Sequence, residues 1–177
     1  MYDVNLITCY IIGYCNGNGY FISNLKLQEI LYFLQFKFLY KKNVPCFEEN
    51  IIATDTGVII SKINSKYLSY NFSMIPSYGT FKRNFYNIDE EDKEIIDEVI
   101  SEFGIHSSMF LQKKILQHKA WKEANQSGKY ILFSSDNIEQ FLELESKNEK
   151  PTFLKKESKK AKIYNFKHYK KSRDIRQ

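Results

Sequence analysis

Residues 23–43, SNLKLQEILYFLQFKFLYKKN, form the longest strongly apolar segment of the sequence, and no other feature limits the fold as much. Leu27, Ile30, Leu31, Leu34 and Phe38 recur at the three- and four-residue steps of one helical face, while Leu25, Tyr32, Phe36 and Leu39 widen that face to most of the circumference. Only Lys26, Glu29 and Lys37 remain as a narrow polar stripe. A helix of about 18 residues is roughly 27 Å long, enough to cross a small domain. Burying ten such side chains contributes on the order of 15–30 kcal/mol before entropy is subtracted. The segment is therefore predicted to be a central helix covered on several sides. The rival is a membrane span, but Lys26, Gln28, Glu29, Gln35 and Lys37 interrupt the run too often for one, which needs about 20 predominantly apolar residues.

The rest of the chain can supply that cover. Its 177 residues are 43% hydrophobic and 16% aromatic, which suits one domain plus an appendage. The opening MYDVNLITCYII has neither the basic region nor the cleavage site of a secretory signal, so it is read as part of the fold and a cytoplasmic location is expected. Cys9, Cys15 and Cys46 are odd in number and widely spaced, which favours buried thiols over disulfides or a metal site.

Charge is segregated along the chain. Residues 1–146 carry 14 Lys+Arg against 18 Asp+Glu, and residues 147–177 carry 12 against 3, so the body is net −4 and the tail +9. Two units are expected: a helical domain over 1–146 and a basic, aromatic-containing extension over 147–177 that begins near Pro151.

Within the body, Asp3 is the expected cap of a first helix with Val4, Ile7, Ile11 and Tyr14 on one face, ended by the run Asn16-Gly17-Asn18-Gly19. Ser23 or Asn24 caps the central helix, which Pro45 stops, and Cys46-Phe47 tuck back beneath it. Ile51-Ile52-Ala53 is a short strand. After Gly57, Val58, Ile59, Ile63 and Tyr67 fit a short helix, with a strand through 58–61 as the alternative. Residues 69–87 form an irregular connection with turns at Pro76 and Gly79. Asp89 caps a helix with an acidic first turn, Glu90, Glu91 and Asp92, and a core face of Ile95, Ile96, Val99, Ile100 and Phe103. Gly104 is its C′ residue. Ser107 caps the next helix, which carries Phe110, Leu111 and Ile115 inward, with Met109 as an optional fourth, and runs to about His118. Residues 120–124 add a turn, with Trp121 as an anchor, ended by Gly128. Tyr130 to Phe133 read as a short strand or extended link, and Ser134 or Ser135 caps a last helix with Ile138, Phe141, Leu142 and Leu144 as its apolar positions.

No catalytic constellation is visible. His106, His118 and His168 are scattered, no HExxH, CxxC pair, GxSxG or Walker sequence occurs, and nothing selects a pairing such as Cys9 with His118. The chain is expected to be no enzyme and to carry no cofactor and no metal.

The block Ile22-Ser23-Asn24-Leu25-Lys26-Leu27-Gln28, followed by Leu31-Tyr32-Phe33 and Gln35, resembles the SocA-like family of antitoxin-associated domains, also called Panacea domains. Weaker points of likeness are Phe47-Glu48-Glu49, Gly57-Val58, Phe103-Gly104, Ser107, and His118 with Trp121, so that the resemblance spans roughly residues 3–144. Ile59, Thr54, the proline missing at Gly57-Val58 and the short His118–Trp121 segment depart from the family's pattern and point to a divergent member with a different partner. The resemblance implies a mainly α, compact domain that is not catalytic and neutralises a cognate protein toxin by direct binding, in bacteria, phages or mobile elements. One branch instead presents a toxin to a protease. The tail adds an alternative, nucleic-acid binding, because +9 would neutralise several phosphates. No membrane partner is expected. The candidate contact residues are Lys155, Lys156, Lys159, Lys160, Tyr164, Phe166 and Tyr169 in the tail, and Lys26, Glu29 and Lys37 on the polar stripe.

Overall fold

Asp3 accepts a hydrogen bond from the Asn5 backbone N–H and so starts α1 (Val4–Gly17) in the computed structural model, which describes residues 1–77, 87–128 and 130–148. Ser23 does the same for α2 (Asn24–Lys42) by accepting from the Lys26 N–H, and Asn43 ends it in the left-handed region at φ 54°. Every residue from Lys26 to Phe36 is buried, three turns of helix without an exposed face. Such a helix must be wrapped, and α2 packs against most of the other elements of the chain.

β1 (Ile52–Thr54) and β2 (Gly57–Ile59) form an antiparallel hairpin pairing Ile52 with Ile59, and α3 (Ser61–Lys66) comes directly after it. The two sequence alternatives here are therefore both used, on successive stretches: Val58 and Ile59 are in a strand, and Ile63 is the buried residue of the helix. The expected strand at 51–53 lies one residue further on. The irregular connection begins with a 3-10 turn at Leu68–Tyr70, and Ile75 is buried, its N–H bonded to the Ile22 carbonyl. Gly79 lies outside the described residues.

The acidic helix is α4 (Glu90–Phe103), whose Ile95, Ile96, Val99, Ile100 and Phe103 are buried as expected. Gly104 corrects an expectation: it has φ −65°, a right-handed conformation. Glycine is required there for space, because a Cβ would press into the Ile100 carbonyl oxygen and lie 2.9 Å from the Tyr20 ring. α5 (Ser108–Ile115), capped by Ser107, ends earlier than expected, and only Leu111 and Ile115 turn inward. Phe110 and Met109 are exposed, because an eight-residue helix lying against α2 has one narrow buried stripe. α6 (Lys119–Ser127) ends at Gly128, with φ 62°, and α7 (Ser135–Asn148) starts with Ser134 accepting from the Asn137 N–H. Between them Ile131 donates its N–H to the Ile51 carbonyl, an extended link.

The architecture is thus mainly helical around a central helix. α2 packs against α1, β2, α3, α4, α5 and α7, and its rings join the others, with Phe33 stacked on Phe103 at 4.0 Å and Phe36 on Phe141 at 4.6 Å. All three cysteines are buried free thiols. Among the described residues no helix is long and apolar enough to cross a membrane.

Candidate functional site

The polar residues of α2 explain how a helix can be buried all round while its polar groups find partners, since each one ties a different loop to it. Gln35 donates to the Phe47 carbonyl (3.0 Å) and accepts from the Cys46 and Phe47 N–H groups at 3.0 and 3.4 Å. Gln28 accepts from Ile60 N–H at 2.8 Å and donates to Asn24, which donates in turn to Asn64 at 2.9 Å. That relay holds the end of β2 and the middle of α3 on α2. The Tyr32 hydroxyl lies 2.9 Å from Nδ1 of the buried His118, whose Nε2 faces Glu145 at 3.5 Å. With a carboxylate opposite Nε2 the proton belongs there, which leaves Nδ1 to accept from Tyr32. Trp121 Nε1 donates to the Gly57 carbonyl at 2.8 Å. His118 is thereby engaged by Tyr32 and Glu145.

Lys26 and Glu29 need a correction: they are not a solvent-facing stripe but are 4% and 1% exposed. The Lys26 ammonium donates to the carbonyls of Phe21 (2.8 Å) and Gly104 (2.5 Å), joining the chain before α2 to the chain after α4. Burial lowers its pKa, opposed by Cys15 and Glu29. Glu29 accepts from the Ser108 hydroxyl at 2.8 Å, and its other oxygen has no hydrogen-bond partner among the described residues. Burial pushes this carboxyl up to about 8, against the pull of Ser108 and Lys26. Because the folded pKa exceeds the ordinary 4.5, the folded state holds this proton more tightly. Its contribution is complete below pH 4.5 and is lost as pH rises through about 8. Glu29→Gln is therefore expected to flatten that decline and, at pH 9, to raise stability by on the order of 2 kcal/mol, about 5 °C in Tm by calorimetry. Equal pH slopes in the two proteins would show that no charge is being forced into the interior. Lys37, the third stripe residue, is half-buried and pairs with Glu98 at 3.0 Å and Glu102 at 3.9 Å.

Above Lys26 the surface opens into a cleft of about 620 Å³ lined by Gly19, Tyr20, Phe21, Ser23, Lys26, Phe72, Gly104, Ile105, His106, Ser107 and Ser108. Phe21, Phe72 and Ile105 stand around it largely exposed, and His106 stacks on Phe110 at 4.2 Å. Burial, with Lys114 and Lys26 nearby, lowers the His106 pKa and keeps that wall neutral. A smaller groove of about 290 Å³ beside α4 is lined by Lys41, Lys42, Glu91, Glu94, Ile95 and Glu98, and both its lysines are paired with acids. Among the described residues no group of three or more potential metal ligands occurs.

The sequence reading found the residues that build the site but not the cleft. Phe21, Phe72 and Ile105 lie in the connections between helices, where no periodicity marks them. Lys155, Lys156, Lys159, Lys160, Tyr164, Phe166 and Tyr169 lie outside the described residues.

A family model described as "Antitoxin SocA-like, Panacea domain" matches residues 27–122, more than half of the chain. That span includes three pairs that meet through the contacts above: Tyr32 with His118, Gln35 with Phe47, and Gly57 with Trp121. No curated protein and no solved structure matches the chain.

Proposed function

The chain belongs to the SocA-like antitoxin family with a Panacea domain, and from that membership we propose that it neutralises a cognate protein toxin by direct binding, without chemistry of its own. The observation that carries the reading is where the matched polar residues point. Gln28, Tyr32 and Gln35 are all engaged inside the body, so they serve the scaffold and leave recognition to other residues.

The extension is the part of the sequence suited to recognition. Lys155, Lys156, Lys159, Lys160, Tyr164, Phe166 and Tyr169 combine cationic and aromatic contacts, and a low-hydrophobicity, charged segment covers a large partner surface when it orders on it. On the body, Lys37 is the one candidate that reaches the surface, in the company of Glu98 and Glu102.

The test is co-expression with the product of the adjacent open reading frame. That product should arrest growth alone and be tolerated beside this chain, and a chain lacking residues 150–177 should protect at least about tenfold less well in plating efficiency, the effect of losing roughly 1.4 kcal/mol of binding. A neighbour that is harmless alone, or stays lethal beside the full chain, defeats the reading. Loss of the neighbour's protein only when a host protease is present would make the chain an adaptor instead.

A further inference from the structure

The cleft over Lys26 is rimmed by exposed apolar side chains. Phe21 is 52% exposed, Phe72 74% and Ile105 63%, and three large apolar side chains around one opening are costly to leave in water. Nothing in the chemistry of a solvated loop end explains all three.

The chain's own extension starts nearby. Glu145, in the last turn of α7, is ion-paired to Lys114. The Lys114 ammonium lies 5.9 Å from the centre of the Phe110 ring, and Phe110 stacks on His106, a wall of the cleft. The path from α7 to the cleft is thus one salt bridge, one cation–ring contact and one ring stack. α7 is described to Asn148, and the first large apolar side chains beyond it are Phe153 and Leu154. Five or six residues span up to about 20 Å, which covers that path. Lysines flank the pair at Lys150 and Lys155-Lys156, so an apolar dipeptide sits between segments that favour water.

We propose that Phe153 and Leu154 fill the cleft lined by Phe21, Phe72, Ile105 and His106, anchoring the basic extension to the body in the same molecule. The anchor sets where residues 155–177 leave the body. Any partner of the extension would then meet it at the mouth of the cleft, beside Phe21 and Phe72. The assignment stands on the cleft and the reach, and does not depend on what the partner is.

Because Cys9, Cys15 and Cys46 are all buried, a pair of introduced surface thiols reports proximity cleanly. The full chain carrying Ser73→Cys, beside the cleft but not in its lining, and Thr152→Cys is oxidised at low micromolar concentration, and the intramolecular cross-link is followed on non-reducing gels. The same chain carrying Phe153→Asp and Leu154→Asp as well has an identical tether and lacks only the anchor. Cross-linking is expected to be about tenfold slower in that second chain, since the tether alone sets the effective concentration once the anchor is gone. Equal rates in the two chains would overturn the proposal. Cross-linked dimers in place of the intramolecular product would overturn it too, by giving the cleft to a second copy. Ser73 is exposed and lies outside the buried core, so its replacement does not threaten the fold.

Discussion

Replacing Gln35 with leucine is expected to cost about 3–5 kcal/mol of stability, although leucine is close in size and more apolar. The side chain holds one carbonyl and two N–H groups of Cys46 and Phe47, all in the interior. Removing it leaves three buried backbone groups without partners, each with a desolvation penalty of about 1–3 kcal/mol that local shifts relieve only in part. In a domain of this size the loss appears as a fall in Tm of roughly 10 °C or more, measured by circular dichroism. Lys37→Ala is the contrasting case: its ion pairs with Glu98 and Glu102 are partly exposed, so the change should stay within about 1 kcal/mol. A stable Gln35→Leu protein would mean that the segment around Phe47 is held by packing alone.

Gly104→Ala is the second large effect, and its sign separates two accounts of that glycine. With φ −65° the backbone is already suited to alanine, and on conformational grounds alone the substitution would stabilise by about 0.4–1 kcal/mol. The contacts say otherwise, because the new methyl group would press on the Ile100 carbonyl oxygen and the Tyr20 ring. Backbone cannot yield as a flexible side chain can, so a net loss of about 2–3 kcal/mol is expected. The shift would also disturb the Gly104 carbonyl that receives Lys26, and with it the floor of the cleft. Chemical denaturation of the variant settles the sign, and a gain in stability would show that the space at Gly104 is not needed.

These two positions also show what a sequence can and cannot reveal here. The course of α1, α2 and α7 was legible because caps and periodic apolar residues coincide: Asp3, Ser23 and Ser134 each accept the hydrogen bond that their residue type predicts, whereas Asp89 starts α4 without a side-chain capping bond. Gly104 was legible as a helix end but not as a close approach, which depends on Tyr20, far away in the chain. Lys26 and Glu29 misled for a similar reason. A polar stripe on an amphipathic helix usually faces water, yet a helix covered on every side turns its stripe into a line of internal ties, and the carbonyls of Phe21 and Gly104 that receive Lys26 have no sequence signature. Val58 and Ile59 were ambiguous because three apolar residues in a row fit either period, and pairing with Ile52 and Ala53 decided for a strand. Met109 and Phe110 flank the short buried stripe of Leu111 and Ile115, and only the position of α5 against α2 shows that they stay outside.

The central claim divides the molecule into a scaffold, built by the polar ties of α2, and a contact segment in the extension. One measurement addresses both halves: protection against the adjacent gene's product and Tm, recorded on the same full-length variant. In it Lys155, Lys156, Lys159 and Lys160 are changed to glutamate, and Tyr164, Phe166 and Tyr169 to alanine. The account predicts that protection is lost while Tm stays within about 1 °C of the parent, because it assigns these residues to the contact segment and not to the scaffold. Full protection by that variant would contradict it and return recognition to the body.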